Sequence, residues 1–263
     1  MGETVIKVEN VTKRYNIYRK NIHKIMGVFF GRKPDEVKYA LRDVSLEVEK
    51  GDRVLIAGRS ESGRSSLMKI AAGIVSPSKG SAFATGSMNI LISIKAGYDY
   101  EYTCRENMYL KANLLGIPAS VIKEHEQEII EFAGVEKYAD LPLKRASKGT
   151  AERIAVAIHT LMKCDILFID DTFTAGGAKS RLKCESRLKE YFEANPEMTV
   201  VMTANVLLFA ERMCNRGIIL ENGEVIFAGT GKETCVRFRQ IKQAARNNMG
   251  DQDFREAADS FRK

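Results

Sequence analysis

The stretch from Arg53 to Gly73, RVLIAGRSESGRSSLMKIAAG, decides how the rest of the chain is read. Its apolar run Val54-Leu55-Ile56-Ala57 predicts a short buried strand ending at Gly58. A loop with Gly63, Arg64, Ser65 and Ser66 follows, then a helical pattern from Leu67 to Ala72. In a strand, glycine loop and helix, loop amides and a helix N-terminus converge on an anion, and a hydroxyl at the helix start reaches Mg²⁺. The phosphate-loop pattern asks for Gly, four residues, then Gly-Lys-Ser/Thr. This chain supplies Gly58, four residues, Gly63, Arg64 where lysine is expected, then Ser65. Arg64 is planar, longer and forked where lysine is a compact point charge. Glu61 places a carboxylate inside the loop, where it repels a polyphosphate. The other reading of the segment is an ordinary strand–turn–helix of an α/β domain.

The surroundings of this segment bound the answer. At 263 residues, one large domain or a domain with a subdomain is expected, and the 44% apolar fraction suits a globular core. The net charge of +7 permits a nucleic-acid or anionic-membrane partner but requires neither. The five cysteines are scattered, with no C-x-x-C pair, which favours reduced thiols over disulfides or a metal site. No apolar run reaches bilayer-spanning length and no signal peptide is visible, so the expectation is a soluble chain or one attached to a membrane through partners.

Before the phosphate loop, Thr4–Val8 alternates like a strand, and so does Leu41–Val48. Between them, residues 16–38 form a basic insert. Ile22, Ile25, Met26, Phe29 and Phe30 recur there at helical spacing among Arg19, Lys20, Lys24, Arg32 and Lys33. This predicts a short amphipathic helix, facing a membrane or packed on its own domain. After the loop, residues 81–98 read as short strands and Asp99–Glu106 as a polar loop. Asn107–Leu115, Ala119–Ala133 and Glu136–Leu141 read as a helical insert. Ser147-Lys148-Gly149 is expected to cap a helix over Ala151–Met162. Ile166–Ile169 is an apolar strand, Ser180–Glu193 a helix, Thr199–Met202 a buried strand and Leu207–Met213 a helix. A hairpin turns at Asn222-Gly223, and the tail from Thr230 is helical. Buried strands alternating with helices argue for an α/β core with a largely parallel sheet.

Asp170 stands at the carboxyl end of the Ile166–Ile169 strand, where sheet ligands bind, and a carboxylate there holds Mg²⁺ through water alongside Ser65. Asp171 follows, where a base for an attacking water would sit. Paired with the loop, this makes a P-loop NTPase the reading of the chain.

The order of segments resembles the ATP-binding subunit of ABC transporters over nearly the whole chain, and within that family the polysaccharide and teichoic-acid (O-antigen, capsule) exporter branch. ALRDVSLEVEKGDRVLIAGRSESGRSSLMKIAAGIVSPSKG is similar to that branch's strand–loop–helix. AGYDYEYTCRENMYLKANLLGI resembles its segment after the Q-loop, KRASKGTAERIAVAIHTLMKCDILFIDD its signature helix and Walker B strand, and CNRGIILENGEVIFAGT its last strands. The resemblance implies an α/β fold of ABC type, with a mostly parallel core sheet, an antiparallel β subdomain and a helical subdomain inserted at about 104–163. The nucleotide-binding domain would span 1–230, with 231–263 a C-terminal helical tail. It implies ATP and Mg²⁺ as ligands, a membrane-spanning transporter subunit and a second nucleotide-binding subunit as partners, and a peripheral place on the cytoplasmic face of the cell membrane.

By the same resemblance, Tyr15 matches the aromatic that stacks on adenine; the other reading is a core or surface tyrosine. Gly58, Gly63, Ser65 and Ser66 match phosphate-loop positions, with Arg64 for lysine and Glu61 for a glycine. Around Ile94 and Lys95 no glutamine stands to touch Mg²⁺ and water. The signature keeps Ser147 and Gly149, but Lys148 replaces a small residue and would either obstruct the partner's nucleotide or add positive charge to it. Asp170 matches the Mg²⁺ aspartate, and Asp171 takes the place of the catalytic glutamate, one methylene shorter. The D-loop aspartate is missing near Gly177, and Ala204 stands at the switch histidine. Positioned acid–base and electrostatic groups each contribute on the order of a hundredfold or more to rate, so several such losses predict weak or absent hydrolysis with nucleotide binding retained, in a chain that pairs with a competent subunit; the second nucleotide-binding subunit makes a homo- or heterodimer. Alternatives are a fully active ATPase subunit, a soluble nucleotide-binding regulator and a nucleic-acid binder. No nucleic-acid module supports the last, and no nucleic-acid partner is expected.

Overall fold

The computed structural model describes residues 2–20, 23, 25, 30, 33–91, 97–170, 176–203 and 207–247, the side chains of 245–247 excepted. Two compact units divide the chain, one of residues 1–85 and 203–263, the other of residues 86–202.

In the first unit, strands β1 (Thr4–Ile17) and β2 (Glu36–Glu49) pair antiparallel, and β4 (Lys79–Ala84) lies on the other edge of β1. The alternation seen in the sequence buries Ile6, Val8 and Val11 on β1 against Leu41, Val44, Leu46 and Val48 on β2. The β1 strand runs well past Val8. Register shifts between Val8 and Val11 absorb Asn10, whose φ of 49° suits a short polar side chain, and pairing then resumes as far as Ile17. Strand therefore takes both ends of the 16–38 segment. The amphipathic helix expected there lies almost wholly outside the described residues.

Strand β3 (Arg53–Gly58) is buried along nearly its whole length, as its unbroken apolar run requires. It pairs parallel with β8 (Arg216–Glu221), which turns back into β9 (Glu224–Thr230). Asn222 and Gly223 both have positive φ, 50° and 81°, as a two-residue hairpin turn needs. Helix α1 (Arg64–Ala71) buries Leu67, Met68 and Ile70; each such side chain contributes about 1.5–3 kcal/mol. Helix α6 (Leu207–Met213) packs on α7 (Gly231–Asn247), which covers β3 and β8.

In the second unit, β5 (Met88–Leu91), β6 (Ile166–Ile169) and β7 (Thr199–Thr203) pair parallel in that order. Helices α2 (Cys104–Leu114), α3 (Ala119–Ala133) and α4 (Thr150–His159) surround a core that includes Met108, Ile122, Ile130 and Ile154. Helix α5 (Gly177–Ala194) follows β6. Helix α2 starts earlier than the polar reading of Asp99–Glu106 allowed. Thr103 is its N-cap, and Thr103 and Glu106 close a capping box. Glu136–Leu141 is not helical: Tyr138 donates to the Val135 carbonyl and Leu141 to that of Tyr138, two successive turns. The buried pair Val135 and Ala139, four apart, imitates a helical face.

Candidate functional site

The loop between β3 and α1 is held by close approaches that admit no side chain. Gly63 is the N-cap of α1 at φ 105°, and a Cβ there would lie 2.3 Å from the Ala40 carbonyl oxygen on β2. A Cβ on Gly58 would meet Ser62 Oγ at 2.4 Å and the Leu220 carbonyl oxygen at 2.5 Å. The hairpin turn at Asn222-Gly223 braces the loop from behind: Gly223 N–H donates to the Ser62 carbonyl at 3.0 Å, and Arg42 N–H donates to that of Gly223 at 2.8 Å. Nothing in the loop's own sequence indicates this brace.

The loop borders a groove of about 320 Å³. It is lined from β1 by Tyr15, from β2 by Lys38, and from the loop and α1 by Gly63, Arg64, Ser65 and Ser66. Five of the six expected nucleotide residues thus share one cavity, and Gly58 starts the loop that forms it. Tyr15 is 40% exposed, its hydroxyl 3.5 Å from Ser66 Oγ and its ring 5.2 Å from the Lys13 ammonium. No acidic residue lies in the first turn of α1, so the positive end of the helix dipole is not offset by a carboxylate of its own. The volume is within the range of small-molecule sites. Among the described residues, buried Ser62 Oγ has no hydrogen-bond partner, an unspent polar atom at the groove wall. Glycine loop, helix start, flat aromatic face and spare hydroxyl together fit a nucleoside polyphosphate.

Glu61 is a departure with visible consequences. It occupies a left-handed backbone position, φ 65°, which favours glycine. Its carboxylate accepts a hydrogen bond from Lys38 Nζ at 2.6 Å, and this contact holds its pKa below the usual carboxylate range. The sequence reading paired Glu61 with no cation.

In the second unit, Ser147 and Gly149 precede α4. Gly149, not Ser147, is the N-cap of that helix. Ser147 Oγ instead lies 2.9 Å from Thr150 Oγ1. Both hydroxyls accept from Arg153 Nη2, at 3.0 and 3.2 Å. The same guanidinium donates to Ser180 Oγ at 2.8 Å and to the Ala133 carbonyl at 2.7 Å. Burial lowers its pKa, yet the guanidinium stays charged at neutral pH. Arg153 is therefore the residue that fixes the turn before α4, and the sequence reading did not single it out; its signal was an arginine one turn into the helix that follows. A Cβ on Gly149 would meet Ser180 Oγ at 2.4 Å and Gly176 Cα at 2.6 Å. Lys148 is exposed. Asp170 directly follows β6, its N–H donating to the Leu91 carbonyl at 3.2 Å. Asp171, Ala204, Ile94 and Lys95 lie outside the described residues.

Residues 41–174 match the family described as ABC transporter. The chain belongs to the ABC transporter family. It is 35% identical over 228 residues to the teichoic acids export ATP-binding protein TagH of Bacillus anthracis, covering 87% of this chain and 41% of that protein. It is 29% identical over 244 residues to the O-antigen export system ATP-binding protein RfbB of Klebsiella pneumoniae, covering 90% of this chain and 98% of that one. The chain thus spans less than half the length of the Bacillus relative and nearly all of the Klebsiella one. A dimeric post-hydrolysis structure of the ATP-binding cassette MJ0796 bound to ADP and Pi shares the fold. Its TM-score is 0.68 at 22% identity, over 86% of this chain and 98% of that one. The antiparallel sheet, the parallel strands and the helical cluster are those of an ABC cassette.

Proposed function

We propose that this chain is the ATP-binding subunit of an ABC exporter for polysaccharide or a related glycopolymer, and that it binds ATP with Mg²⁺ but hydrolyses it weakly or not at all. The observation that carries the reading is the shared groove of Tyr15, Gly63, Arg64, Ser65 and Ser66. The export names of the relatives supply the cargo class.

In this reading the Tyr15 ring takes the adenine face, and the loop amides and the α1 N-terminus hold the phosphates. Arg64 adds its charge among them. Ser65 and Asp170 keep the Mg²⁺ roles that their motifs give them. Asp171 is a short substitute for the general base, and Ala204 supplies no proton acceptor at the switch. Mg²⁺, when bound, neutralises charge on the terminal phosphates. Loss of the loop lysine, the glutamine, the catalytic glutamate and the switch histidine together leaves a rate far below that of an intact site, even allowing for non-additive effects.

The helical segment around 104–163 acts as the subdomain that presents Ser147 and Gly149 to a second nucleotide-binding subunit, like or unlike this one. A membrane-spanning subunit forms the path, and this chain sits peripherally on its cytoplasmic side. Among the described residues no helix is long and apolar enough to cross a membrane. The test is an ATPase assay of the purified chain. Turnover at or near background supports the reading. Brisk hydrolysis abolished by Asp170→Ala establishes an active ATPase in its place.

A further inference from the structure

The phosphate loop has lost its lysine and gained a carboxylate, and a single side chain outside the loop answers both changes. Lys38 lies on β2 directly across from Tyr15 in the β1–β2 pairing, so the two side chains share a face. Both line the groove beside Ser65 and Ser66. The Lys38 ammonium bonds Glu61 at 2.6 Å. The pair is exposed, Glu61 77% and Lys38 47%, so it contributes little to stability and is readily exchanged. Lysine is a compact charge on a stem of four rotatable carbons, and it swings between neighbouring anions without backbone movement. A triphosphate carries several negative charges against the single charge of Glu61, and it wins the competition for one ammonium.

We propose that Lys38 is the phosphate-binding lysine of this site, supplied by β2 instead of the loop, and that Glu61 holds it in reserve until a nucleoside triphosphate takes it over. The proposal rests on the nucleotide-binding reading above. It makes Lys38 a binding residue and Glu61 an internal competitor of the γ-phosphate. Affinity is therefore set by the exchange of one salt bridge for another.

The test is calorimetric titration of ATP in Mg²⁺ buffer into the full chain as wild type, Lys38→Met, Glu61→Gln and the double variant. Both substituted side chains are on the surface, and circular dichroism melts verify that each variant folds. Removing the competitor, E61Q tightens binding by about tenfold, and K38M weakens it by about tenfold in the wild-type and in the E61Q background alike. If K38M costs nothing once Glu61 is neutral, Lys38 serves only to neutralise Glu61 and the proposal is overturned. If wild type and E61Q bind and K38M matches its parent in both backgrounds, the proposal fails while the nucleotide site stands. If none of the four binds ATP at millimolar concentration, the site reading and the proposal fall together.

Discussion

Mild acid is expected to destabilise this protein through one histidine. His159 ends α4 and is 2% exposed. Its Nδ1–H donates to Asn89 Oδ1 at 2.5 Å, and Asn89 Nδ2 donates back to the His159 carbonyl at 3.0 Å, so the neutral ring is well housed. Burial, and secondarily the charge of Lys111, lowers its pKa from 6.5 to about 3. Because the folded pKa is the lower one, the folded state resists a proton that the unfolded chain accepts. Stability is full above the unfolded value near 6.5 and falls as pH drops toward 3. The slope is about 1.4 kcal/mol per pH unit, so the loss between pH 7.5 and pH 5 is about 2 kcal/mol. That window lies above the range in which paired carboxylates such as Glu61 and Glu106 titrate. The chain has no tryptophan, so urea unfolding is followed by circular dichroism, on wild type and His159→Gln. Wild type is expected to lose about 2 kcal/mol on going to pH 5 while the variant, less stable at pH 7.5, changes by a small fraction of that. Equal pH dependence in the two proteins refutes the assignment.

Other expectations follow from the same geometry. Gly63→Ala forces a Cβ to 2.3 Å from the Ala40 carbonyl oxygen at φ 105°, and costs about 2–4 kcal/mol in thermal unfolding together with ATP binding. Arg153→Met removes a guanidinium that four partners share, and costs about 3 kcal/mol by urea titration, whereas an exposed Lys148→Ala leaves stability within about 0.5 kcal/mol. Thr103→Ala dissolves the capping box of α2, lowering stability by about 1 kcal/mol in the same assay.

What the sequence disclosed was local, and what it hid was long-range. The β3–loop–α1 unit is legible because each step, apolar run, glycines, amphipathic helix, is written within consecutive residues. The Asn222-Gly223 hairpin is legible for the same reason. The brace from Gly223 to Ser62 and the bond from Lys38 to Glu61 join residues from different elements, and no periodicity announces them. Thr103 and Glu106 do announce a helix start at capping-box spacing; the polarity of the surrounding residues masked it. Val135 and Ala139 carried a helical spacing that two turns satisfy equally well. Of the site itself, Tyr15 was placed by resemblance alone, since its spacing from the loop carries no local signal. Lys38, on the same face, is the last residue of the basic 16–38 stretch and carries no local signal of its own.

The measurement that bears most directly on the account is equilibrium titration of the purified chain with ATP, with and without Mg²⁺, with the nucleotide analysed afterwards. The account predicts saturable binding, with ATP recovered essentially intact. Failure to bind at millimolar ATP, or quantitative conversion to ADP by the chain alone, contradicts it.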